Sequence, residues 1–373
     1  MADWLSSMQQ TYEFYRVNPN TWTDVERLSS ILSCTITRDS GDETLGYANI
    51  ETNEAIDECY IRVYLITVQN KKTEKHSLGV FLCQTPNTSF DGHVQSISID
   101  AYTPLIELKE KMPPIGYSIS AGRNIVNAAI AITRENARAP VVGNSVSEST
   151  TDWNSDAYTF EIEDKKNESV LSSDFIADPS ETWLSFLVAL LSNASYEFDL
   201  DEMGRILFSP RQDQNSLQPV WTYTDDNSSI LLPSITVDRD LYGIPNVVEV
   251  IYSQTGTMLY SKVVNDDPNS PISTVNRGRE IVHRITDPDT IGNPTQDQLD
   301  VYATRTLRAL SSLEYKLTYS HGYCPVRVGD CVMLNYERAG LKNVKARVIS
   351  QTIRCLPGCT VEETAVYSTN LWG

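Results

Sequence analysis

The sequence predicts a mixed, β-rich α+β fold, with two similar small antiparallel β-barrel domains on either side of an α/β middle portion. Three observations carry this reading. Short alternating or β-branched runs, separated by polar turns, fill the first third of the chain and return in its last part. Helical periodicity with capping signals occurs at only a few places. The segment ILSCTITRD (Ile31 to Asp39) is echoed by LLPSITVDRD (Leu231 to Asp240), as a duplicated unit would be.

The first residues, MADWLSSMQQTYEFY, read as an amphipathic helix or arm over residues 1–20. Strands are expected at Ser33 to Asp39, Thr44 to Asn53, Tyr60 to Gln69, Ser77 to Gln84 and His93 to Ala101. The turns SGD, QNKKTEK and TPNTSFDG separate them, and together they form a first barrel over residues 21–118. YTPLIELKEKMPP adds a short helical turn stopped by paired prolines.

The middle portion spans residues 119–228. Asn124 to Ala137 is helical, with Ile125, Ala128, Ala129 and Ile132 on one stripe and Pro140 beyond its end. Val141 to Asp156 is rich in Ser, Thr and Asn and reads as a linker. Asp178 is expected to cap a second helix, with Pro179 at its first position and Glu181 completing a capping box. Its body, ETWLSFLVALLSNA, is apolar almost all round and so should be buried on most sides. YEFDLDEMGRILFSP reads as a hairpin. Its Asp199-x-Asp201 spacing approaches a calcium loop, but Met203 stands at a ligand position and Pro210 where the bidentate Glu belongs.

Residues 229–373 return to strands at Ile235 to Asp238, Asn246 to Ser253, Met258 to Val264 and Glu280 to Ile285. One helix follows, expected to be capped by Asn293 with Pro294 first and Gln296 closing the box. Leu299, Tyr302, Ala303, Thr306 and Leu310 share its face. Strands at Leu313 to Tyr319, Cys331 to Tyr336, Lys345 to Cys355 and Thr360 to Tyr367 complete a second barrel with one packed helix.

Composition narrows the function classes. The 373 residues, 40% hydrophobic and 21% charged, can build several compact cores. No run has the length of a membrane span, and the N-terminus lacks the basic-then-apolar order of a signal peptide. Seven scattered cysteines, an odd number, read as free thiols in a reducing compartment. With 30 Lys and Arg against 49 Asp and Glu, the formal net charge of −19 argues against a protein that grips nucleic acid, because phosphate neutralisation needs cations. It does not argue against one past which DNA slides.

The motifs point to scaffold rather than chemistry. SHGYCPVRVGDCVMLNY places His321, Cys324 and Cys331 close together, with Cys355 and Cys359 further on. Zinc ligands come in shorter-spaced pairs, and only Cys355 and Cys359 flank a suitable loop. That loop has Pro357 and Gly358 where a type II turn wants them, so turn chemistry explains it without metal. GxSxG, HExxH, GxxxxGK[ST] and GxGxxG are absent. His76, His93, His283 and His321 are dispersed, and the acidic residues cluster in turns such as TDDNSS and NDDPNS, so no catalytic residue is expected. Trp4, Trp22, Trp153, Trp221 and Trp372 suit packing or an interface better than a sugar platform.

In this order the segments resemble the baseplate hub proteins of phage tails, which are related in fold to the N-terminal part of type VI secretion spike proteins. The segments that carry the resemblance are YIRVYLI with LGVFLCQTPNTSFDG, DPSETWLSFLVALL with YEFDLDEMGRILF, and GIPNVVEVIY. To these is added TQDQLDVYATRTLRAL followed by HGYCPVRVGDCVML with Pro325, Gly329 and Asp330. They extend from about Trp22 to Trp372. Each is structural, and only their order is specific.

The resemblance implies a homotrimer whose two tube domains per chain make a pseudo-six-fold ring. Such a ring adapts a six-fold tail tube to a three-fold spike or tip, and it encloses the DNA channel without a cofactor. Implied partners are the tail tube or distal tail protein, the spike or tip protein, other baseplate proteins, and genomic DNA passing through the lumen unbound. The expected location is the virion baseplate, assembled in the host cytoplasm. Asp39, Asp42, Glu43, Asp238 and Asp240, from the two echoing segments, are the candidate channel-lining residues. The alternatives are a distal tail ring or a receptor- or glycan-binding tail-tip protein.

Overall fold

The computed structural model describes residues 2–92, 95–142, 169–212, 216–227, 229–253, 258–288 and 294–372. His93, Trp153, Asn293 and most of the expected linker at Val141 to Asp156 lie outside them. The described chain divides into two compact units: Met1–Ser234 with Tyr319–Thr364, and Ile235–Thr318 with Ala365–Gly373.

The chain opens with strands β1 (Gln9–Val17), β2 (Asp24–Arg27), β3 (Ile31–Asp39), β4 (Gly46–Thr52), β5 (Cys59–Gln69), β6 (Lys72–Phe90) and β7 (Gln95–Tyr102). Then come α1 (Ile106–Glu110), β8 (Ser118–Ile119), α2 (Ile125–Asn136), β9 (Phe175–Ile176), α3 (Trp183–Ser192), and the hairpin β10 (Tyr196–Leu200) and β11 (Ile206–Pro210). β12 (Pro219–Thr224) and β13 (Leu231–Arg239) lead to β14 (Val247–Tyr252), β15 (Leu259–Val264), α4 (Thr274–Arg277), β16 (Val282–Thr286) and α5 (Gln296–Leu310). β17 (Ser312–Gly322), β18 (Cys331–Tyr336), β19 (Leu341–Arg354) and β20 (Thr360–Asn370) close the sequence. The architecture is the expected β-rich α+β class. The two echoing segments are both strands, β3 and β13.

In the first unit the sheet runs β19-β3-β4-β7-β6-β5-β1-β2. β5 explains why YIRVYLI is nearly continuous in apolar residues: it is covered on both faces. Ile61, Val63 and Leu65 pack into one core with Cys34, Ile36, Ala48 and Ile50. Tyr60, from the other face, joins a second core built on Trp22, Val80, Leu82 and the apolar faces of α2 and α3. The all-round apolar α3 is buried along Trp183, Leu184, Phe186, Leu187, Leu190 and Leu191, as its composition requires.

In the second unit β14 is the middle strand, antiparallel to β15 and parallel to β16. α5 lays Leu299, Ala303 and Leu307 over Val248, Val250 and Tyr252, and Trp372 packs against the same cluster. Among the described residues no helix is long and apolar enough to cross a membrane.

Three expectations are corrected. Residues 9–17 are a strand, not a helix: TYEFYRV is rich in aromatic and β-branched residues, and its pairing with β5 buries Phe14 and Val17. Both helix starts lie further along. α3 is capped by Thr182 and Ser185 reciprocally, while Asp178 and Glu181 build the turn before it. α5 is capped by Thr295 with Gln298. Finally, among the described residues the strand pairings close no sheet into a barrel; the large sheet runs from β13 to β2 with a side branch through β18 and β12.

Candidate functional site

The HGYCPVRVGDCVML segment is a turn that locks two strands to a distant hairpin. Asp330 N–H donates to the Arg327 carbonyl at 3.1 Å, and Gly329 at the third turn position has φ 95°, as a type II turn requires. Asp330 Oδ2 accepts from Arg327 N–H at 2.8 Å. The Arg327 guanidinium then reaches the β10–β11 hairpin, 2.8 Å from Glu202 and 3.5 Å from Asp199, and donates to the Leu200 carbonyl. Beside it Arg205 pairs with the buried Asp201. Arginines therefore hold the carboxylates that gave DLDEMG its calcium-loop spacing. Burial pushes Asp330 up to about 6, against the opposing pull of its hydrogen bond to Arg327.

The hairpin tip is fastened to the sheet by further bonds. Trp22 Nε1 donates to the Met203 carbonyl at 2.8 Å, and Ser77 Oγ donates to that of Glu202. Arg62, the one charge within YIRVYLI, is buried. It pairs with Asp24 at 2.6 Å and donates to the Trp22 carbonyl at 2.9 Å. A cation inside an apolar run is the sequence signal for such a buried pair.

His321, far from any motif partner in sequence, lies 3.4 Å from Glu363, and both side chains are fully buried. Tyr319 donates to Glu363 Oε1, and Gln351 Nε2 donates to Oε2 at 2.7 Å. Burial disfavours the imidazolium, but Cys324 and Glu363 outweigh it and raise His321 to about 10. Cys324 Sγ lies 3.9 Å from His321 Nδ1. A thiol, imidazole and carboxylate in this order would make a nucleophilic centre if substrate reached them; here all three are enclosed, and the group works as a buried polar network. His321 and Glu363 are brought together only by the pairing of their strands, which no local pattern announces.

Of the remaining cysteines, Cys34, Cys83, Cys331, Cys355 and Cys359 are buried, and Cys59 is half-buried. Cys355 and Cys359 flank a turn in which Cys359 N–H donates to the Leu356 carbonyl at 2.8 Å and Gly358 has φ 94°. The type II reading of that loop holds. Among the described residues no group of three or more His, Cys, Asp and Glu is placed to hold a metal. Trp4, Trp22 and Trp372 are packing residues. Trp22 is buried, Trp372 meets Arg308, and Trp4 stands edge-on to His76 and Tyr323 beside a cleft of about 300 Å³.

The five acidic candidates fall in two places. Asp39, Asp42 and Glu43 belong to the β3–β4 turn of the first unit. Asp39 Oδ1 accepts from Gly41 N–H, Asp42 Oδ1 accepts from Thr44 N–H and its hydroxyl, and Glu43 pairs with Lys109 at 2.8 Å. Asp238 and Asp240 belong to the second unit. Both are exposed, and Asp240 Oδ1 accepts from Tyr242 N–H.

No protein-family model and no curated protein matches this sequence. Solved structures do. The chain superposes on the tail protein from Neisseria meningitidis MC58 with a TM-score of 0.59 at 11% identity, covering 97% of this chain and 98% of that one. The 43 kDa tail protein of prophage MuSo2 from Shewanella oneidensis gives 0.59 at 10%, over 95% and 98%. The fold is that of the phage tail and baseplate-hub proteins. A chain of the Francisella PdpA–VgrG complex matches it at 0.54 and 8% identity, covering 98% of this chain and 53% of its own length. The baseplate-hub-like fold thus extends to a spike-complex chain, as the sequence resemblance implied.

Proposed function

We propose that this protein is a structural component of a phage tail baseplate, acting as its hub. In this reading three copies form a ring, and two near-equivalent strand-rich domains per chain give six similar surfaces. One side of the ring seats a six-fold tail tube or distal tail protein; the other receives a three-fold spike or tip. Other baseplate proteins surround it. The role is non-enzymatic, and the genome passes through the lumen without being held, which a net charge of −19 suits. The protein would assemble in the host cytoplasm and act in the virion.

The end-to-end likeness to two tail proteins is the observation that carries this reading, since 98% of each is matched. The likeness to a chain from a VgrG complex supports a spike-type partner. Native mass measurement and electron microscopy of the protein, alone and with its tube or spike partner, test the stoichiometry. Three copies, or a multiple of three, is the expected result. A two-, four- or five-fold particle would sink the hub assignment.

A further inference from the structure

Cys59 opens β5 and Cys83 lies in β6, and the antiparallel register sets the two directly opposite each other. Opposed residues in such a pair point to the same face with Cα atoms about 4.5–5.5 Å apart. That separation lies inside the range of about 4.4–6.8 Å that a disulfide bridges. Both side chains face the same core, Cys83 within it and Cys59 against its edge. Their access differs. Cys83 is 2% exposed, whereas Cys59 is only half-buried, with the Arg16 guanidinium against its sulfur. Burial raises both thiols, and Arg16 opposes the rise at Cys59. A second opposed pair makes the contrast. Cys355 N–H donates to the Cys34 carbonyl at 2.9 Å, but both residues are enclosed, so neither sulfur meets a dissolved oxidant.

We propose that Cys59 and Cys83 are a redox-modification site, oxidised by small soluble disulfides to a cross-strand bond that closes the β5–β6 hairpin. The accessible Cys59 thiolate attacks a sulfur of the small disulfide, forming a mixed disulfide and releasing one small thiolate. The Cys83 thiolate then attacks the Cys59 sulfur and releases the second. Two protein thiols are oxidised, one external disulfide is reduced, and the two protein protons end on the two released thiols. Closing the hairpin loop restricts the unfolded chain, so the oxidised form resists unfolding more than the reduced one. The site stands apart from the tail reading; it requires only that the protein pass from a reducing to an oxidising solution.

The test uses the native full-length protein with oxidised glutathione at pH 8.5, quenched by acid, then denatured, alkylated and mapped by mass spectrometry. Two of the seven thiols should be protected, with the Cys59 peptide joined to the Cys83 peptide. The thermal midpoint should rise on oxidation and return on adding dithiothreitol. In Cys83→Ser the first step has no resolving thiol, so glutathione should accumulate on Cys59. If that variant does not fold, the wild-type map alone decides. Alkylation of all seven thiols after oxidation, or a first cross-link between any other pair, would overturn the proposal.

Discussion

His321 and Glu363 illustrate what a single buried charge costs and what holds it. An ion pair without solvent survives only when its remaining hydrogen-bonding positions are filled, and here Tyr319 and Gln351 fill those of the carboxylate. Glu363→Gln leaves the imidazolium without its counter-charge and should destabilise the first unit by about 3–5 kcal/mol in urea unfolding at pH 7. The sign with pH follows from the raised His321 value. Its stabilisation is complete below the ordinary histidine range and fades as pH rises toward about 10, so the gap between wild type and Glu363→Gln should narrow over that interval. Asp330 titrates in the same direction, because its value is raised too. Burial raises it to about 6, so the neutral form is the one the fold favours, and its stabilisation is lost as pH rises from the ordinary carboxylate range through about 6. Asp330→Asn retains an acceptor for Arg327 N–H. It should stabilise by about 1 kcal/mol at pH 8 and by nothing near pH 4. A destabilised Asn variant at pH 8 would show that the charge, rather than the acceptor, is needed.

At the scale of elements, the β10–β11 hairpin shows how far local sequence reaches. YEFDLDEMGRILF announces strand, turn and strand, and all three form. Its docking was not announced, because Trp22, Arg62, Ser77 and Arg327 lie far from it along the chain. Gly204 marks the closest approach. It has φ +72°, and a Cβ there would stand 2.5 Å from Val80 Cβ. Gly204→Ala should therefore cost about 2–4 kcal/mol, combining left-handed strain with overpacking. Hydrogen exchange should show the loss at the hairpin and at β5 and β6 together. An effect confined to the hairpin would mean that the tip is not fastened to the sheet. The caps teach a related lesson. D-P-S-E-T and N-P-T-Q each offer two starts, and in both the later threonine caps, because its hydroxyl sits three residues before a side chain that returns the bond. Residues 9–17 fit a helix or arm as well as a strand, because a mixed polar and aromatic stretch suits either period until its partner strand is known. Whether a sheet closes into a barrel is equally hidden in sequence, since strand signals fix existence and not which edges meet.

At the scale of the whole molecule, the hub reading requires that one surface face the genome. In the hub reading the lumen carries acidic side chains, because a lumenal cation would hold phosphate with salt-dependent affinity. Asp39, Asp42, Glu43, Asp238 and Asp240 are proposed for that role, and their local bonds shape the test. Asp39, Asp42 and Asp240 each accept a backbone N–H within their own turn, so lysine there would disturb the turn as well as the charge. Asparagine keeps the acceptor and removes the charge. Glu43 pairs with an exposed Lys109, which contributes little to stability, and Asp238 is exposed on β13. These two tolerate reversal. The combined variant, asparagine at the three turn aspartates and lysine at Glu43 and Asp238, should therefore fold and assemble as the parent does. Particles built from it should release DNA more slowly at low salt, and the difference should shrink as added salt screens the new cations. Normal assembly with unchanged ejection at both salt concentrations would place these carboxylates away from the channel, leaving them the simpler task of forming and solvating two turns.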